Sequence, residues 1–87
     1  MPLNPKLQKL LEKTYAPQER FDSKFSDKDI TYITNESGEP VTLFIGRRQQ
    51  DGSIAGERYV RRIIREANSS GIARSHWELK GKVSRGN

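Results

Sequence analysis

His76 and Glu78 stand two residues apart in the segment "GERYVRRIIREANSSGIARSHWELKGKV" (56–83), which also holds the only tryptophan of the chain and five of its arginines. On an extended strand, residues two apart share a face. His76 and Glu78 would then form an acid–base pair, and Arg61, Arg65 and Arg74 beside them would stabilise a pentavalent phosphate, the parts of a metal-independent ribonuclease. The same arginines suit a second chemistry. Guanidinium groups grip phosphates bidentately and stack on flat rings, and aromatic side chains interleaved with them on an open sheet make a platform for unstacked bases. Because the catalytic reading rests on a single histidine, the binding reading is preferred. It names Phe44, Arg58, Tyr59, Arg61, Arg65, Arg74, Lys80 and Lys82 as contacts, with Arg62 in the same basic stretch.

The charge is unevenly placed. From Arg47 onward ten basic residues face four acidic ones, whereas the first 46 residues carry six basic and seven acidic, and eight of the nine arginines lie in the second half. A partner rich in phosphate or carboxylate follows: RNA or single-stranded nucleic acid ahead of duplex DNA, since a small open sheet with stacking rings suits unstacked bases better than a duplex groove, and no helix-turn-helix or zinc-finger pattern is visible. An acidic protein, or a second copy pairing through a sheet edge, is the alternative. No Gly-rich phosphate loop, nucleophile elbow or paired metal ligands occur, so no cofactor or metal is expected. The absence of cysteine excludes a disulfide framework and a thiolate metal site, and it makes a reducing, cytoplasmic location the expectation. No apolar run approaches bilayer length, and "MPLNPKLQKLLEK" lacks the h-region of a signal peptide, so no membrane partner is expected.

Positioning these residues requires a scaffold, and 87 residues with 32% hydrophobic content make one small domain, 1–87. In "NPKLQKLLEKTYA", Asn4 is a plausible N-cap, Pro5 suits the first helical position, and Leu3, Leu7, Leu10, Leu11 and Tyr15 recur at helical spacing. A short amphipathic helix over 4–16 is predicted. Residues 17–28, with isolated Phe21 and Phe25, show neither period and read as a connecting segment. From Asp29 to Val83 the pattern is β-type, with turn signals at Ser37-Gly38, Asp51-Gly52 and 68–71, and a basic tail follows at 84–87.

Residues 57–66 admit two readings. As a helix, Tyr59, Val60, Ile63 and Ile64 form an apolar stripe opposite Arg58, Arg61, Arg62 and Arg65. As a strand, pairing across the three turns sets Tyr32 opposite Leu43, Phe44 opposite Tyr59, Leu43 opposite Val60 and Arg62 opposite Trp77. Ile30, Tyr32, Val41, Leu43, Ile45, Val60, Ile64, Trp77 and Leu79 then share one face. The strand reading is preferred because three separately chosen turns agree on that face, and because β-branched Val60, Ile63 and Ile64 favour it. The expected fold is α+β, a short helix packed on one face of a four-stranded antiparallel meander. Gly46 and Gly56 would mark a bend in the long hairpin. The open face would carry Thr31, Ile33, Thr42, Phe44, Tyr59, Arg61, Ile63, Arg65, Arg74, His76, Glu78 and Lys80.

Overall fold

A computed structural model describes residues 3–69 and 71–83; the expected basic tail at 84–87 lies outside the described residues. Helix α1 (Pro5–Glu12) is followed by β1 (Arg20–Phe25), β2 (Lys28–Thr34), β3 (Pro40–Arg48), β4 (Ile54–Arg65) and β5 (Ile72–Val83). The strands form one antiparallel sheet in the order β1-β2-β3-β4-β5. The architecture is α+β, with residues 57–65 in a strand and five strands where four were expected. The added strand lies within 17–28, where the sequence suggested only a connection. Phe21 and Phe25 are four apart, a spacing shared by a helix face and a strand face, and only pairing with Tyr32 and Lys28 decides for the strand.

Asn4 caps α1, its Oδ1 accepting from Lys6 N at 2.8 Å, and Pro5 occupies the first turn. The helix stops at Glu12, short of the expected 16, and Lys13 is already extended. Side chains from elsewhere receive its last carbonyls: Tyr15 Oη donates to Leu10 O at 2.7 Å, and Arg61 Nη1 to Leu11 O at 3.4 Å. An isolated helix of this length is unstable in water. Burial of Leu3, Leu7 and Leu11 against Ile30, Tyr32, Leu43 and Tyr59 holds it in place, at roughly 1.5–3 kcal/mol for each fully buried leucine. Tyr15, Phe21 and Tyr32 extend this core as a ring cluster with centroids 5.2–5.4 Å apart.

The β2–β3 register is the expected one, with Tyr32 opposite Leu43 and Ile30 opposite Ile45. The β3–β4 register is offset by one residue. Leu43 pairs with Tyr59 and Phe44 with Arg58, because the connection is a five-residue loop closed by Arg48 and Ile54 rather than a two-residue Asp-Gly turn. In this loop Asp51 Oδ1 accepts from Ser53 N and Oγ, and Gln49 N donates to Ser53 O at 2.7 Å. A one-residue slip exchanges the faces of a strand. Tyr59 and Arg61 therefore face the helix, while Arg58, Val60, Arg62 and Ile64 face away, the reverse of the expectation. The β4–β5 hairpin is offset by one as well, with Arg61 opposite Trp77 and Arg62 opposite His76. The two offsets cancel for β5, so Trp77 lies on the helix side as expected.

The outer face has its own covering. Arg20 lies four residue rows from Gly46 on one side, and Gly52 six residues beyond it on the other; an unbent hairpin would separate them by about 30 Å. Yet Arg20 Nη2 donates to Gly52 O at 2.7 Å. The end of the β3–β4 hairpin thus folds back over the outer face of β1 and β2, where Arg48 Nη1 donates to Thr31 Oγ1 and Arg48 Nη2 to Ile30 O, each at 2.8 Å. Gly46 and Gly56 are cross-strand partners at the fold, the bend expected there. Phe44, Ile54, Ser53 and Thr31 are buried but lie outside the helix-side cluster, forming a second small interior beneath the returning tip.

Glu39, in the β2–β3 turn, ties that turn to the end of β4: Arg65 donates to both its carboxylate oxygens, one of them at 2.8 Å. These bonds, opposed by burial and aided by Asn35, hold the Glu39 carboxyl down at about 2 instead of the ordinary 4.5. A carboxyl depressed on folding stabilises the native state fully above its unfolded value, and the contribution disappears as pH falls through its folded value. The urea midpoint is therefore expected to fall between pH 4.5 and 2. Glu39→Gln should be less stable at neutral pH and lose less across that window, and urea titrations over that pH range check it. Among the described residues no helix is long and apolar enough to cross a membrane.

Candidate nucleic-acid interface

The eight expected contact residues do not assemble into one surface. Phe44 is 3% and Tyr59 4% exposed, Phe44 on the outer side below the folded tip and Tyr59 beneath the helix. Neither ring has a face open to a base, so the expected stacking platform is absent. Tyr59 instead donates to Glu57 Oε1 at 3.2 Å, and burial, followed by the charge of Glu57, pushes its hydroxyl pKa upward. Tyr59 and Glu57 line an open pocket of about 290 Å³ between Leu3, Leu7, Phe25 and Ile45.

Arg61 is likewise interior at 7% exposure. Its Nε donates to Ser75 Oγ at 3.1 Å, and Nη1 donates to Leu11 O and to Pro40 O at 3.3 Å, so it joins β4 to β5, α1 and β3. Burial lowers its pKa, while the nearby charges of Glu39 and Glu12 favour its cationic form. The expected division of labour is reversed. Arg62, expected to face Trp77, points away from the helix, and Arg61 is the cross-strand neighbour of Trp77. Arg65 is turned to Glu39 on the helix side.

Other basic residues do come together. On the outer face of β4 and β5 stand Arg58, Arg62, Arg74, His76 and Lys80, with Glu78 the one acidic residue of that face among the described residues. Glu78 Oε2 lies 2.9 Å from His76 Nε2 and 3.6 Å from Arg62 Nε, and Oε1 accepts from Lys80 Nζ at 3.1 Å. Hydrogen bonds from Lys80 and His76 hold the Glu78 carboxyl below its ordinary range. Lys80 shares the face of His76 and Glu78 by alternation, and the pairing shifts beside it: Tyr59 faces Leu79 and Arg58 faces Gly81, leaving Lys80 as the extra residue of a bulge. Arg58 and Arg74 have no ionic partner among the described residues, nor does Lys82, which pairs with Glu57 in the register at the other end of β5.

His76 and Glu78 share a face, as strand spacing implied, and Arg74 stands on it too, but two of the three arginines expected beside them do not. Arg61 and Arg65 are on the other side of the sheet, and His76 is 58% exposed. A carboxylate held at lowered pKa by hydrogen bonds is also a weak general base. Arg62 is the residue that sequence reasoning under-assigned. Its only signal was the register of β4, which the length of the 49–53 loop decides. Comparison with protein-family models, curated proteins and solved structures gave no match.

Proposed function

We propose that the chain is a small, non-catalytic nucleic-acid-binding module that contacts the phosphate backbone through the outer face of β4 and β5. One observation carries this reading: Arg58, Arg62, Arg74, His76 and Lys80 converge on a face with a single acid, while the neighbouring outer face of β1 and β2 is covered by the folded hairpin tip. Arginine supplies forked donors matched to phosphate oxygens. The preference for single strands rested on Phe44 and Tyr59 as open rings, and their burial removes that argument. A cytoplasmic location belongs to the same proposal, on the cysteine-free composition.

Fluorescence polarisation with labelled oligonucleotides across a salt series tests the reading. Contacts to about four phosphates predict a slope of log Kobs against log salt near −3 to −4. Arg58→Gln with Arg74→Gln should make the slope shallower by about 2 without lowering thermal stability, as neither side chain has an ionic partner among the described residues. No binding at low salt, or binding indifferent to salt, rejects the proposal. Co-purification with an acidic protein that survives nuclease treatment favours a protein partner for the same face.

A further inference from the structure

We infer that the partner is B-form duplex DNA, and that the end of the β4–β5 hairpin enters its major groove; this rests on the nucleic-acid reading above. Pairing of β3 with β4 ends at Thr42 and Val60, whereas β4 continues to Arg65 and β5 begins at Ile72. Beyond Val60, β4 remains paired with β5 alone. A two-stranded ribbon matches the major groove, about 12 Å wide, since paired strands lie about 5 Å apart before side chains are added.

The ribbon is supported from one side and free on the other. Arg61 links its two strands through Ser75 and fastens it to Leu11 and Pro40, and Arg65 fastens it to Glu39, all on the helix side. Two arginines thus brace the ribbon, so the outer residues would meet a ligand without first being ordered, which lowers the cost of binding. The outer residues are Arg62, Ile64, Arg74 and His76, with Ile64 half exposed at 50%. Arginine is the residue that reads guanine O6 and N7 in the major groove, and an exposed aliphatic group suits the thymine methyl. No Phe, Tyr or Trp side chain stands on this face of the ribbon among the described residues, and the imidazole of His76 is its one flat ring, so it offers little to unstacked bases. The major groove of A-form RNA is too narrow and deep for side chains to read.

The test compares four probes by polarisation with the full chain: a mixed-sequence DNA duplex, the RNA duplex of the same sequence, one DNA strand alone, and polyglutamate. The expected result is DNA duplex affinity at least ten-fold above each of the others, reduced several-fold when guanine is replaced by 7-deazaguanine, which removes the N7 acceptor. Arg62→Ala with Arg74→Ala should abolish the 7-deazaguanine effect, with circular dichroism confirming that the fold is kept. Equal or tighter binding to single strands or RNA duplex overturns the groove assignment while leaving phosphate binding standing. Binding to polyglutamate as tight as to DNA, or no binding to any nucleic acid, overturns both.

Discussion

Arg61→Ala is expected to destabilise the protein by about 2–3 kcal/mol, whereas Arg62→Ala changes stability by no more than about 0.5 kcal/mol. The two residues are adjacent, chemically identical and indistinguishable in sequence. Arg61 is 7% exposed and donates to Leu11 O, Pro40 O and Ser75 Oγ. Its removal leaves the end of α1 without one of its caps and the Pro40 carbonyl without its donor, and it opens a cavity next to Trp77. Arg62 has one exposed contact, 3.6 Å from Glu78, of the kind that contributes little. For a chain of this size about 2–3 kcal/mol corresponds to a fall in Tm of roughly 10–20 °C. Arg61→Lys should fall between, because it keeps the charge and loses the fork. Thermal unfolding of the three variants checks the order, and equal Tm values for R61A and R62A would contradict the placement of β4.

Gly46→Ala has the other large expected effect, a loss of about 3 kcal/mol or more. A Cβ at Gly46 would lie 2.1 Å from Ala55 O and 2.8 Å from Gly56 Cα, all backbone atoms of the facing strand that cannot rotate away. Gly56 meets the mirror situation against Ile45 O, also at 2.1 Å. The two glycines let the strands touch where the hairpin turns back, so either substitution pushes them apart at the fold. The consequences should appear at a distance. Arg20 would lose Gly52 O, Arg48 would lose Thr31 Oγ1, and Phe44 would gain solvent. Hydrogen exchange at Ser53 and Ile54 should accelerate to the rate of an open hairpin tip while amides of α1 change less. Because both substitutions act on one contact, the double variant should cost less than the two single effects added together.

These two residues also show where the sequence is legible. The faces of β2 and β3 follow from alternation and from the Ser37-Gly38 turn, whose geometry Asn35 fixes by accepting from Ser37 N and Glu39 N. The N-terminus of α1 is marked by Asn4 and Pro5, local signals that tertiary structure does not change. The face of β4 is another matter, since Tyr59, Val60, Arg61 and Arg62 alternate equally well either way up. Their orientation depends on whether the preceding loop holds two residues or five, and Asp51-Gly52 is compatible with both. Burial of an arginine runs against the usual pattern, so an apolar-face argument selects Val60 and misses Arg61. The fold-back is encoded by two glycines ten residues apart whose pairing is a property of the register. The arginine concentration survives every reading, but its division between bracing and exposed groups does not follow from the sequence.

The most direct measurement is a backbone-resolved NMR titration of the chain with a short mixed-sequence DNA duplex. Shifts are expected to concentrate at Arg58, Arg62, Ile64, Arg74, His76 and Lys80, with Phe44, Tyr59 and the amides of α1 little moved. Shifts centred instead on α1, on the pocket beside Tyr59 or on the β1–β2 hairpin, or an unchanged spectrum at low salt, would contradict this placement of the interface.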